Sequence, residues 1–209
     1  MKRSLIAVFA PLVFGVSSAP APADSCKFPD DMKTTPINLN FADAPVGTAP
    51  KGWLLGPEFM FVPPHVPAYS AVTVPVDQCH GSQQCATVYS LQPDPSVTLS
   101  FLYQDLDVTP HHGQILTYRA FVRVDPAQKS VARLLVRLHR KDCTTTFRDD
   151  MGNHPIVSGD WAAYEIRAPI AMDAYHMEFA CSSSVKAQHG STRVRWNSRV
   201  CVEGTTTEN

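Results

Sequence analysis

The sequence predicts an all-β fold, an antiparallel β-sandwich of about eight or nine short strands. Three observations lead there. Apolar and polar residues alternate with period two in several segments, the pattern of a strand with one face on a core and one mixed face. Proline and glycine interrupt the 209-residue chain 18 and 10 times, and long helices do not survive that punctuation. Six cysteines, an even number, follow an export-like start, which suits disulfide staples in a fold built outside the cytosol.

The elements follow in order. Lys2 and Arg3 precede an apolar run from Leu5 to Val16, and small residues lead on to Ala23. This is the pattern of an export signal, and the run is too short to span a bilayer. Cleavage is expected after Ala23, because a cut after Ala19 would leave Pro20 next to it. Residues 1–23 therefore read as a signal peptide, 24–204 as one β-sandwich domain and 205–209 as a frayed tail. The expected location is periplasmic or extracellular. No other segment has the roughly 18 apolar residues of a membrane helix. Cys26 sits in a poor context for lipid attachment. Losing Lys2 and Arg3 moves the formal net charge from -1 to -3, a balance that argues against nucleic-acid or anionic-membrane partners.

Alternation marks the strands. Val97, Leu99, Phe101 and Tyr103 alternate with Thr98, Ser100 and Leu102, and the first set is expected to face the core. Tyr118, Ala120, Val122 and Val124 alternate with Arg119, Phe121 and Arg123. Tyr175, Met177, Phe179 and Cys181 form another core row, and Val194, Trp196, Val200 and Val202 a fourth. Between Val131 and His139 the apolar residues fit both helical and strand spacing. The all-β surroundings favour a strand in which Leu135 alone breaks the alternation. From Phe147 to Ile166 a short strand leads into a turn-rich loop, and Trp161, Tyr164 and Ile166 open a further strand.

Cys79 and Cys85 bracket a short polar loop and make the safest disulfide. Cys143–Cys181 and Cys26–Cys201 complete the expected set. A zinc site at Cys79, His80 and Cys85 has the wrong spacing.

One resemblance is specific enough to state. Asn38-Leu39-Asn40-Phe41 with Gly47 and Gly52-Trp53, the charged alternation Tyr118 to Arg123, the strand Leu134 to Arg140, the Trp161-x-x-Tyr164 segment and the closing stretch Arg195 to Glu203 resemble jelly-roll carbohydrate-binding modules with a galactose-binding-like fold. The resemblance spans most of residues 36–203 and consists of structural residues. It implies a jelly roll, a glycan ligand and a structural calcium ion, while the cysteine set is unlike the plain family pattern and suggests a stapled version. Asn40, Asp43 and Glu203 are the metal ligands it suggests, because first and last strands meet in such folds. Ser198 stands where members of the family tend to carry an acid.

Candidate binding residues come from the strand phases. Arg119, Arg123, Arg133, Arg137, Arg195 and Arg199 all fall on the non-core phase, and guanidinium forks suit carboxylate and sulfate groups. Phe121 and His139 lie among them. In the loop-rich stretch from Trp53 to Tyr69, Trp53, Phe59, Phe61, His65 and Tyr69 are candidates for a ring platform against a sugar's C–H face. Trp161 and Trp196 fit core phase. The expected ligand set is thus Trp53, Tyr69, Arg119, Phe121, Arg123, Arg137, His139 and Arg195. Asp149 and Asp150 point to opposite faces of a strand and read as turn formers, as does the His111-His112 pair. No serine-nucleophile, P-loop or dinucleotide motif is present. The expected function is a secreted, non-catalytic module that binds carbohydrate or a glycan-bearing surface. A cell-envelope structural or protein-interaction domain and a polysaccharide-active enzyme on the same fold are the alternatives.

Overall fold

The computed structural model describes residues 27–56, 69–81, 84–90, 99–125, 130–185 and 193–203. The expected signal peptide, Cys26, the loop residues Phe59, Phe61 and His65, and the tail lie outside them.

Among the described residues ten strands form two five-stranded sheets: β1 (Leu54–Gly56), β2 (Tyr69–Pro75), β3 (Gln84–Ser90), β4 (Leu99–Asp107), β5 (Ile115–Val124), β6 (Ser130–His139), β7 (Thr145–Asp149), β8 (Ala162–Pro169), β9 (His176–Val185) and β10 (Arg193–Glu203). The first sheet runs β1-β4-β9-β6-β7 and the second β2-β3-β10-β5-β8. All the ladders between these strands are antiparallel, and an isolated parallel bridge joins Lys33 to Leu106 of β4. From β3 to β10 the strands pair as nested shells: β3 with β10, β4 with β9, β5 with β8 and β6 with β7. This is a long antiparallel hairpin rolled on itself, the jelly roll. The count exceeds the expected eight or nine because β1 and β2 add a strand to one edge of each sheet.

The core lies between the sheets. Leu134, Val136 and Leu138 of β6 and Met177, Phe179 and Cys181 of β9 meet Leu116, Tyr118, Ala120 and Val122 of β5 and Ile166 and Ala168 of β8. The phases read from β5, β6 and β9 hold, and the segment with dual periodicity is a ten-residue strand. β4 has the opposite phase to the one expected. Its Leu102 and Leu106 enter the core, with the buried Gln104 between them. Phe101 and Tyr103 lie outside, in a second apolar cluster with Leu135 and Ala180. Both faces of β4 are partly covered there, so apolarity alone does not distinguish them.

The chain before β1 is pinned to this core. Ile37 N donates to Gln104 Oε1 at 3.1 Å and Gln104 Nε2 donates to Ile37 O at 2.7 Å, which satisfies the buried amide. Asp107 N donates to Lys33 O at 2.9 Å. Trp53, expected in an exposed platform, is only 7% exposed. Its ring packs 5.2 Å from Phe41 and 5.5 Å from Phe179, and its Nε1 donates to Asn38 O at 3.1 Å. A large ring with one satisfied polar atom suits a core wedge better than a surface.

The turns after β7 are closed by their aspartates, as read from the sequence: Met151 N donates to Asp149 Oδ1 at 2.8 Å and Gly152 N to Asp150 Oδ1 at 3.1 Å. His111 and His112 also serve a turn. Their Nε2 atoms lie 2.9 Å from Thr34 O and 2.6 Å from Ala174 O.

The disulfide expectations divide. Cys79–Cys85 is formed, with a Cα separation of 5.6 Å. Cys143–Cys181 is not. Cys181 is a free thiol, 1% exposed in the core, and burial holds its pKa well above the ordinary value. It stands five residues along β9 from His176, the partner of His139, while Cys143 lies beyond that end of β6. At ~3.4 Å per residue that is a gap of about 17 Å, out of disulfide reach. Cys143 is nevertheless disulfide-bonded. The expected Cys26–Cys201 pairing falls outside the residues whose side chains are described.

Gly52 controls the approach to Trp53. Its φ is +79°, and a Cβ there would lie 2.4 Å from Ile37 Cδ1. Gly52→Ala is expected to lower stability by about 1–2 kcal/mol, the left-handed cost for a residue with a Cβ. Urea denaturation followed by tryptophan fluorescence measures it. An unchanged midpoint would mean that the loop relaxes without disturbing Trp53.

Candidate functional site

Each sheet has an outer face, and the two differ. On the second sheet, the alternation that buries Tyr118, Ala120 and Val122 turns Arg119, Phe121 and Arg123 outward. Across the ladder Arg195 stands opposite Arg123, Asn197 opposite Phe121, and Arg199 opposite Arg119. On the other side Glu165 of β8 stands opposite Arg119 and forms an ion pair with it.

Two residues not chosen from the sequence complete this face. Trp161, just before β8, is half-buried outside the core, with the Arg123 guanidinium 5.0 Å above its ring. That is cation–π range. His80 is exposed, and its ring lies 4.2 Å from Phe121 and 6.1 Å from Trp161. His80 is delivered by the Cys79–Cys85 loop, and Arg123 Nη2 donates to Gln78 O in the same loop at 3.3 Å. A half-exposed cluster of three rings and a guanidinium results. The sequence signal for Trp161 was its W-x-x-Y spacing, but it precedes the paired part of β8 and so escapes the core phase. For His80 the only signal was its place between two cysteines.

The first sheet carries the other predicted residues. Arg133, Arg137 and His139 are on the non-core phase of β6, but in the sheet opposite to Arg119 and Arg123. The six arginines therefore do not form one field. Arg137 and His139 are also buried, each 8% exposed. Register aligns them in two rows: Arg148, Arg137, Glu178 and Asp105, then Thr145, His139, His176 and Asp107. Arg137 Nη1 lies 3.9 Å from Glu178 Oε2, and His176 Nε2 lies 2.7 Å from Asp105 Oδ1. Phe28 stacks on the His176 ring at 4.6 Å. Beside it is a cavity of about 200 Å³ lined by Lys27, Phe28, Tyr103, Asp105, His176 and Glu178. Burial pushes the Glu178 carboxyl up to about 7, opposed by Arg137 and reinforced by Asp105. Burial also lowers the His139 pKa and raises that of the Tyr103 phenol. β9 alternation already placed His176 and Glu178 on one face. Tyr103 and Asp105 were hidden by the reversed phase of β4.

Tyr69 opens β2 opposite Ser90, at the far edge of the second sheet. Of the suggested metal ligands, Glu203 ends β10 with a side chain outside those described, so Asn40 and Asp43 alone can be placed. Asn40 Oδ1 accepts from Ala42 N at 3.2 Å, a turn bond. First and last strands of the roll do meet, but through Ala86–Tyr89 and Arg193–Trp196, a ladder that contains none of Asn40, Asp43 and Glu203. Among the described residues no three His, Cys, Asp or Glu side chains are grouped to hold a metal ion.

No family model and no curated protein matches this chain. Solved structures similar to it include the CBM22-1 and GH10 modules of Clostridium thermocellum xylanase 10B complexed with xylohexaose, at 12% identity and a TM-score of 0.48 over 76% of this chain and 27% of that one. A family 16 carbohydrate-binding module is 14% identical with a TM-score of 0.47, over 64% of this chain and 86% of that one. The CBM22-1 xylan-binding domain of Paenibacillus barcinonensis Xyn10C is 7% identical with a TM-score of 0.46, over 76% and 90%. The chain spans about a quarter of the xylanase structure's length. These likenesses are remote.

The Glu178 shift has a definite sign. The folded state holds this proton up to about pH 7, whereas the unfolded chain releases it near the ordinary 4.5. Its contribution to stability is therefore complete below 4.5 and is lost as pH rises through 7. Glu178→Gln should remove that part of the slope, so that the melting-temperature difference between variant and wild type grows in the variant's favour from pH 5 to pH 8. Parallel melting curves across that range would show that Glu178 is not buried as described.

Proposed function

We propose that this chain is a non-catalytic, carbohydrate-binding module of an exported protein. The single observation that supports this most is the cluster of His80, Phe121, Arg123 and Trp161 on an open sheet face. A sugar offers C–H faces to rings and hydroxyls to guanidinium and amide groups, and this cluster supplies both. Among the described residues no helix is long and apolar enough to cross a membrane. The ligand reaches the protein as a free glycan or on a glycan-bearing surface.

A second reading has one observation in its favour. The first sheet's cavity sets Asp105, His176 and Glu178 side by side, with a carboxyl that titrates near neutrality. Groups of that kind exchange protons with substrates in enzymes. Depolymerisation of any glycan by wild type, lost in Asp105→Asn, would favour it.

Affinity electrophoresis against a panel of soluble polysaccharides tests the main reading. Retention of the wild type is expected on at least one, and Trp161→Ala should weaken it about tenfold, ~1.4 kcal/mol. The variant's thermal midpoint controls for folding. No retention of the wild type on any glycan would reject the reading. Unchanged retention of a folded Trp161→Ala would move the site elsewhere.

A further inference from the structure

The first sheet's cavity is short of hydrogen-bond donors. Register sets Glu178 of β9 between Arg137 of β6 and Asp105 of β4. Glu178 is 3% exposed, and Arg137 Nη1 at 3.9 Å is beyond hydrogen-bond range. Among the described residues the Glu178 carboxyl accepts no hydrogen bond, although a buried polar group without one is costly. The cavity's described lining includes Asp105 and not Arg137, so Glu178 meets it on the acidic side. Two acids opposite each other in a ladder repel. His176 shares the wall. Its Nε2 lies 2.7 Å from Asp105 Oδ1, and a carboxylate oxygen only accepts, so Nε2 carries the proton and Nδ1 is left as an acceptor. That Nδ1 is buried and has no hydrogen-bond partner among the described residues. Phe28, stacked on His176, and Tyr103 add two rings. Lys27 also lines the cavity; it is exposed and, among the described residues, pairs with neither acid.

We infer that this cavity binds a primary ammonium group, held by the Glu178 and Asp105 carboxyls and flanked by the Phe28 and Tyr103 rings. The site lies on the opposite sheet from the ring cluster and is independent of the carbohydrate reading. A primary ammonium brings three N–H donors and a unit charge. Its donors meet acceptors that the wall leaves unused, its charge offsets the two opposed acids, and ring faces attract cations. A neutral hydroxyl has one donor and no charge, and a quaternary ammonium has the charge without a donor. The cavity, about 200 Å³, is below the ~300–1,000 Å³ of sites for larger ligands, so it suits a small molecule. Proton linkage follows. Burial holds the Glu178 carboxyl protonated up to about 7; Arg137 opposes that shift, Asp105 adds to it and Arg148 opposes it. A cation favours the ionised carboxyl, so affinity rises as pH passes upward through 7. A charge on His176 would repel the ligand and act in the same direction. Tyr103 and Lys27 at the cavity, and His139 and Asp107 in the row of His176, are the other titratable groups around it.

Two-dimensional NMR titrations of the oxidised chain test this, because they report both affinity and the residues that shift. The probes are n-propylammonium, 6-amino-6-deoxyglucose, their neutral counterparts 1-propanol and glucose, and tetramethylammonium. An amine on a CH₂ carbon keeps its charge between pH 6 and 8, as lysine does with a pKa of ~10.4. At pH 8 at least one of the two primary amines is expected to bind about tenfold or more tighter than its neutral counterpart and than tetramethylammonium, shifting β4 and β9 around Asp105 and Glu178. Its affinity should fall about tenfold from pH 8 to pH 6, as linkage to a group titrating near 7 requires. Tighter binding of the amino sugar than of n-propylammonium, or the reverse, supports the site either way and shows whether the ammonium arrives on a sugar or on a simple amine. Glu178→Gln, checked for folding by its thermal midpoint, should weaken binding about tenfold and remove most of the pH dependence. Phe28→Leu lies in the segment before β1 and serves where Glu178→Gln does not fold; it should weaken binding about threefold. No binding of either amine, equal binding of the neutral compounds or of tetramethylammonium, or an affinity independent of pH overturns the inference. Unchanged binding in a folded Glu178→Gln or in Phe28→Leu does the same.

Discussion

The contact between Tyr118 and Phe179 orders the rest of the molecule. Tyr118 belongs to the second sheet and Phe179 to the first, and their rings meet edge to face 5.2 Å apart in the middle of the sandwich. Both are fully buried. Among the described residues the Tyr118 hydroxyl has no hydrogen-bond partner, and burial pushes its pKa well up, so the ring's packing outweighs the polar atom's cost. Because side chains alternate strictly, fixing Tyr118 inward fixes Arg119, Phe121 and Arg123 outward. Fixing Phe179 inward does the same for His176, Glu178 and Ala180. A one-residue slip of β5 or β9 would bury guanidinium or carboxylate groups between the sheets, at a cost of several kcal/mol each. The two outer faces are consequences of one core contact.

Much of this was legible in the sequence, for a physical reason. Where a strand has one dry and one wet face, alternation reveals both, and β5 and β9 read correctly. The reading failed where that condition fails. β4 is covered on both sides, so Phe101 and Tyr103 looked like core residues and Leu102 did not. Trp53 looked exposed because it sits among prolines and glycines, yet those turns fold it back against Phe41. The arginines showed a different limit. Phase separates inside from outside but does not say which sheet a strand joins. Arg137 and Arg119 share a phase and lie on opposite sides of the molecule. Cysteine pairing is a property of the whole topology, so local spacing captured Cys79–Cys85 and misassigned Cys181.

The two outer faces use charge in opposite ways. On the first sheet Arg148, Arg137, Glu178 and Asp105 form one cross-strand row with both signs, and Phe28 lies over the neighbouring histidines. Charges that compensate each other can be withdrawn from water, at the expense of the shifted Glu178 carboxyl. On the second sheet the Arg119–Glu165 pair and the cluster of His80, Phe121, Arg123 and Trp161 stay at the surface, partly in water. Charges held there keep most of their hydration.

The Cys79–Cys85 bond shows how this open face is kept in shape. It closes a loop of only a few residues, worth about 2 kcal/mol by the chain-entropy estimate, so its contribution to the whole fold is modest. Its local effect is larger. The 3-10 turn Val76–Gln78 before it places Gln78 O against Arg123, and His80 within it packs on Phe121. Cys85 itself is buried at the start of β3, in the strand paired with β10. The staple therefore joins an exposed ring to the sheet that carries the arginines. A flexible loop would have to be ordered each time a ligand arrived, and that entropy would be subtracted from the affinity. Held by the disulfide, His80 and Gln78 are in place in advance for a ligand of the proposed kind.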